Sequence, residues 1–182
     1  MRFEIVFHTP FRVAAGHAGD GSDTTVDRAA LLPASSLKGV MLAAARDLLR
    51  FPPGRVDAVF GSREWLQSPW GWSDAKLASG APVRQRARIR IEPDTGVTAR
   101  GALLVADEVL AKRAEFSIDR TGWIEPGEEA THETILLAAA RAVTAVGGDR
   151  RRGLGWVTVT PVQPQWSDTH LRAAVALAGG DA

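Results

Sequence analysis

The chain has 182 residues, 45% of them hydrophobic, enough for one domain with a sizeable core, and its formal charge of +1 favours no class of partner. It contains no cysteine, which excludes a disulfide framework and a thiolate metal site. The opening Met1-Arg2-Phe3-Glu4-Ile5 alternates as a strand does rather than as a signal peptide, and no apolar run nears the roughly 20 residues of a membrane span, so a cytoplasmic protein with no membrane partner is expected.

In chain order, Arg2 to Val13 reads as a first strand, with Phe3, Ile5 and Phe7 alternating with Arg2, Glu4 and His8. Ala14 to Thr25 is a Gly/Asp/Ser loop, long for a connector, a length that goes with function or mobility. Val26 to Leu32 then leads towards the first helix; Pro33 halts it, and Ser35 is placed to N-cap a helix over roughly Ser36 to Arg50, where Leu37, Val40, Met41, Ala44 and Leu48 form one apolar face. Pro52-Pro53-Gly54 ends it, Val56 to Phe60 reads as a short helical turn, and Trp70 to Ala75 as a short strand with Trp70 and Trp72 on one face. Val83 to Ile91 alternates strictly, Pro93-Asp94-Thr95-Gly96 is a turn signal, and Leu103 to Val109 returns, so residues 83–112 form a projecting hairpin.

Glu115 to Ile124 is expected as a core strand, and Glu128 to Val146 as the second long helix, ended by Gly147-Gly148. Leu154 to Val162 is the last strand, with Trp156 in it; a short helix follows Ser167, and disorder is expected from Gly179 onward. The order strand, helix, strand, hairpin, strand, helix, strand is an α+β pattern, a split βαβ-βαβ ferredoxin-like arrangement with an insertion, over a single domain of residues 1–182.

Three clusters could carry chemistry. At the start of the first helix, Ser35, Ser36, Lys38 and Gly39 combine hydroxyls, free backbone N–H groups, a cation and a glycine, the makings of an anion site at a helix N-terminus; an ordinary capped core helix with a solvated lysine is the equal alternative. Of the 22 basic residues only Lys38, Lys76 and Lys112 are lysines, and the arginines cluster. Arg84, Arg86, Arg88 and Arg90 fall on one face of a strand about 7 Å apart. Glu92 and Asp94 would partly neutralise that face if it were merely solvated, but four like charges repel one another, and a polyanion, nucleic acid above all, accounts for them better. Gly147 to Gly155 adds Gly148, Arg150, Arg151, Arg152 and Gly153, backbone freedom beside three cations, although it is no P-loop and could be an exposed turn. The loop acids Asp20, Asp23 and Asp27, with His17, could handle a proton or a divalent metal, Asp27 lying closest in sequence to the helix start; Asp20 and Asp23 read first as turn residues in a flexible loop.

These stretches together resemble the repeat-associated mysterious proteins (RAMP superfamily) of CRISPR systems, and most nearly the backbone subunit of type III (Csm/Cmr-type) effector complexes. Leu32-Pro33-Ala34-Ser35-Ser36-Leu37-Lys38-Gly39 is similar to the family's I-P-G-S-S-L-K-G, with Ala34 in place of a glycine. Phe60-Gly61-Ser62, Trp72-Ser73-Asp74-Ala75, Arg90 to Thr98 and Gly147 to Gly155 resemble four further motifs in the family's order; Pro93 and Arg151 depart from the pattern. The resemblance implies a ferredoxin-like (RRM-like) palm and a hairpin thumb. It implies a head-to-tail filament of copies of the chain along a guide RNA, with other CRISPR effector subunits and a target RNA as partners. It also implies that Asp27 cleaves the target with a divalent metal, Mg2+ by expectation. A scaffold without catalysis is the alternative, and a guide-processing endoribonuclease, for which His17 speaks, is a third.

Overall fold

The computed structural model describes residues 1–19, 21–62, 67–78 and 80–179. The chain is a mixed α+β structure with antiparallel sheets. The main sheet runs β2 (Trp70–Trp72), β6 (Arg113–Arg120), β1 (Arg2–Phe7), β7 (Val157–Gln163), with β3 (Lys76–Leu77) also on β6. Each strand has one apolar face. Phe3, Ile5 and Phe7 of β1 alternate into the core with Ala114, Phe116 and Ile118 of β6 and Val157 and Val159 of β7. Phe3 and Phe116 pair across the ladder with rings 4.8 Å apart. Helices α1 (Ala34–Ala43), α2 (Pro53–Phe60) and α3 (Glu129–Ala142) cover that face, and α4 (Asp168–Ala178) packs on α3. The opposite face, with Arg2, Glu115, Thr158 and Thr160, is polar and open to solvent. Among the described residues no helix is long and apolar enough to cross a membrane.

The hairpin is its own two-stranded sheet, β4 (Val83–Ile91) with β5 (Thr98–Val109). β4 has the bounds that its alternation predicts. β5 begins five residues earlier than expected, because Thr98 to Gly101 extend the ladder past a register shift at Ile89/Ile91. The first strand, by contrast, stops at Phe7: Phe11 leaves the sheet and pairs with Val109 at the hairpin root, 3.0 and 2.8 Å, which redirects the chain. β6 ends at Arg120, although Ile124 is buried as expected. Trp156 precedes β7 rather than lying within it.

Two expectations about the first helix need correction. Ser35 is not the N-cap; Pro33 is, in extended conformation, and no side chain of its own caps the helix. The cap comes from far along the chain, since the Ala34 N–H donates to Asp74 Oδ1 at 2.7 Å. Leu48 is not on the apolar face but 63% exposed. From Ala44 to Leu48 the helix widens to a π-turn, with Leu49 N–H on the Ala44 carbonyl, and the extra residue per turn swings position 48 outward while Ala45 and Leu49 face the core.

Candidate nucleic-acid interface

One face of α1 looks away from the sheet. Ser36, Gly39, Val40 and Ala43 follow at intervals of three and four, so they share that face. They form one wall of a groove of about 290 Å³; Val13 and Ala14 line it too, and Gly147, Gly148 and Arg150 form the other wall. Two stretches more than 100 residues apart, each singled out for phosphate chemistry, thus meet. A Cβ on Gly39 would meet no atom within 4 Å, so this wall is open.

The end of the helix is a different matter. Its N-terminus already holds an anion, Asp74, and the Ser36 and Leu37 N–H groups donate to the Pro33 carbonyl at 3.0 and 3.2 Å. At the tip the Ala34 N–H is therefore taken by the protein's own carboxylate, and the side of the helix faces the groove. Lys38 does not line the groove; its ammonium sits 5.1 Å from the centre of the Trp72 ring, and partial burial there pulls its pKa below the ordinary lysine value. Ser35 is exposed and also outside the groove lining.

The glycine-rich turn is shaped by approach to the protein's own backbone rather than to a ligand. A Cβ on Gly147 would collide with the Arg12 carbonyl, and one on Gly155 with the Val146 carbonyl, both at positive φ. Gly148 and Gly153 are open, and Gly148 N–H donates to Arg12 O at 2.8 Å. Between them Arg150–Arg152 form one 3-10 turn, all three exposed. Among the described residues Arg150 and Arg151 make no ion pair, and Arg152 lies 3.9 Å from Asp149.

The arginine stripe divides. Arg86 and Arg88 reach Glu108 at 3.6 and 3.5 Å, and Arg88 also reaches Asp149 at 3.1 Å. Buried Arg12 binds the same Asp149. The neutralising acids are thus Glu108 and Asp149, not Glu92 and Asp94 as the sequence suggested. Glu108 is 1% exposed, and neither of its oxygens has a hydrogen-bond partner, so the two arginines balance its charge through space. Arg84 and Arg90 make no ion pair among the described residues and stand exposed, Arg90 at the register shift. The network of Arg12, Arg86, Arg88, Glu108 and Asp149 was missed in the sequence; its one local signal is Glu108, a charge inside the apolar run of β5.

Asp27 lines an adjoining depression of about 600 Å³ with Ala15, His17, Val26, Arg28 and Asp107. The two hollows adjoin because Ala14 lines one and Ala15 the other, and Ala14 pairs with Val26. Asp27 is exposed, and its Oδ1 accepts from Ala29 N–H at 2.8 Å in a local turn. The glycine loop before it, expected to be flexible, is fastened to β5 at residues 22–24. Asp23 bonds both ways with Val105 of β5, through its N–H at 2.7 Å and its Oδ2 at 2.8 Å. Thr24 pairs with Ala106, and Ser22 donates to Asp107 at 2.9 Å. Asp20 lies outside the described residues. Among the described residues no three His, Cys, Asp or Glu side chains cluster as metal ligands.

The sequence signature of the RAMP superfamily matches residues 4–158, which include α1, the hairpin and the glycine-rich turn. The chain belongs to the RAMP superfamily. This RAMP chain is similar in fold to a chain of the type III-B Cmr-beta complex solved by cryo-EM in its apo state: 16% identity, TM-score 0.68, covering 90% of this chain and 97% of that one. It is similarly like a chain of type III-B Cmr-beta bound to cognate target RNA, at 15% identity and TM-score 0.67, covering 87% and 95%. No curated protein matches it significantly.

Proposed function

We propose that this chain is a guide-RNA-binding backbone subunit of a type III CRISPR effector complex that cleaves complementary target RNA at Asp27. In this reading the sheet β2-β6-β1-β7 with its covering helices is the ferredoxin-like (RRM-like) palm, residues 83–112 are the thumb, and copies of the chain follow one another along the guide beside other effector subunits. The observation that carries it is the groove in which Ser36 and Gly39 of α1 face Gly147, Gly148 and Arg150. Its walls offer a hydroxyl, backbone close enough for a phosphate to approach, and a cation that makes no ion pair among the described residues. Membership of the RAMP superfamily and the likeness in fold to Cmr-beta chains support the same reading.

For cleavage, the 2′-oxygen of one target nucleotide must attack its own 3′-phosphate in line with the 5′-oxygen of the next nucleotide, which leaves with a proton from water as a 2′,3′-cyclic phosphate forms, and holding the groups so supplies much of the rate. Asp27 Oδ1 is engaged by Ala29 N–H, which leaves Oδ2 to take the 2′-hydroxyl proton or to hold a metal. Asp27, the exposed one of the two carboxylates that line the depression, fits Mg2+, which is commonly held by one or two carboxylates with substrate phosphates and water. When bound, such an ion would neutralise charge on the reacting phosphate. The turn at Ala29 equally suits a purely structural Asp27, and with it a scaffold that binds without cutting. Asp27→Ala separates the two: the assembled complex is expected to retain co-purified guide RNA of unchanged length and to lose target cleavage on a denaturing gel. Cleavage at the wild-type rate would leave the scaffold reading; absence of any co-purified RNA from the wild type would overturn RNA binding itself.

A further inference from the structure

The described tryptophans other than Trp123 and Trp156 are packed: Trp70 is buried, Trp72 stacks on Phe60, and Trp166 stacks on His170. Trp123 is 76% exposed but lies in a depression with Glu125 and Glu128, whose neighbour Arg55 is paired to Glu128, a poor setting for a polyanion. Trp156 differs. It is 54% exposed, directly follows the glycine-rich turn, and adjoins three exposed arginines.

Its ring is also held. The indole Nε1 donates to the Arg150 carbonyl at 3.4 Å, the Trp156 backbone N–H donates to Thr9 Oγ1 at 3.0 Å, and its carbonyl accepts from His8 N–H at 2.8 Å. In the alternation that buries Val157 and Val159 against the helices, Trp156 falls in step with exposed Thr158 and Thr160, on the open side of the sheet. An apolar ring fixed in water beside Arg150 and Arg151, which make no ion pair among the described residues, has no packing role that would account for it. Aromatic platforms next to cations are how proteins hold single-stranded nucleic acid, ring on base and cation on phosphate.

We infer that Trp156 is a base-stacking platform for an unpaired nucleotide whose flanking phosphates are held by Arg150, Arg151 and Arg152. The inference rests on the RNA-binding reading above and adds to it a contact to the base rather than the backbone. Because every base has a π face, the contact is tolerant of sequence.

The test uses the purified full chain and two labelled single-stranded probes of equal length, a mixed-sequence RNA and an abasic oligonucleotide, with affinity read by fluorescence anisotropy. Trp156→Ala is expected to weaken RNA binding about five-fold or more, since stacking contributes about 1–3 kcal/mol per base. Trp156→Phe, which keeps a ring, is expected to stay within about three-fold of wild type. Neither substitution should alter affinity for the abasic probe. RNA affinity unchanged in Trp156→Ala would overturn the inference alone, as would an equal loss on both probes or an equal loss in Trp156→Phe, which would mark a structural role. A wild-type chain that binds neither probe would overturn the RNA-binding reading and the inference with it.

Discussion

Arg150 and Arg88 are both arginines in segments singled out as basic, yet their surroundings differ. Arg150 and Arg151 are exposed and unpaired among the described residues, whereas Arg88 lies between Glu108 and Asp149. Of these three, Arg150 and Arg151 have no partner among the described residues to compete with RNA phosphates. The double substitution Arg150→Ala, Arg151→Ala is therefore expected to reduce the slope of log affinity against log salt by about 1.4, at about 0.7 for each phosphate contact on a single strand. Arg88→Ala should instead lower the melting temperature, because it leaves Glu108 and Asp149 short of a partner. Titration of binding from low to high salt, with melting curves on the same variants, separates the two. His132 gives a second residue-scale expectation. Burial chiefly pulls its pKa below the usual value of about 6.5, with Glu128 opposing, and Trp70 Nε1–H donates to Nδ1 at 3.2 Å. The unfolded chain then holds the proton more tightly than the folded one. Stability is full above the unfolded value and is lost as pH falls through it towards the folded value. Melting temperature should decline below about pH 6.5, and His132→Gln should flatten that decline.

At the scale of elements, Gly39 sets helix stability against the groove. A glycine inside a helix costs about 0.5–1 kcal/mol relative to alanine. Gly39→Ala has open space for its methyl group, so a slightly higher melting temperature is expected together with weaker RNA binding, as the methyl enters the groove wall. Improved stability with unchanged affinity would show that RNA does not approach that wall. What the sequence showed of the elements followed how local their causes are. The bounds of β4 were legible because alternation and a turn signal lie within the strand itself. The capping of α1 was not, because Asp74 arrives from 40 residues away. The π-turn at Ala44–Leu48 was hidden because ordinary helical spacing continues through it. For the site, the residue types at α1 and the glycine-rich turn were legible, and their meeting across one groove was not. The sequence offered Lys38 equally as a phosphate ligand and as a solvated lysine, and its seat over Trp72 was hidden because Trp72 is distant in sequence.

For the whole molecule, the groove, the Asp27 depression, the hairpin root and Trp156 all gather around the segment that leaves β1, residues 8–15. Binding and cutting would then share one end of the sheet, and Asp27→Ala is expected to remove the second while sparing the first. The loop before α1 joins these parts most closely, since Asp23, Thr24 and Ser22 are fastened to Val105, Ala106 and Asp107 of β5. Loop and hairpin are consequently one interchangeable part, not two. A chimera that takes the hairpin of a relative but keeps this loop would break three sets of contacts at once, whereas one that takes both together would carry its own fastening. Grafting along this family should follow that seam, with Asp27 travelling in the company of the strand that steadies it.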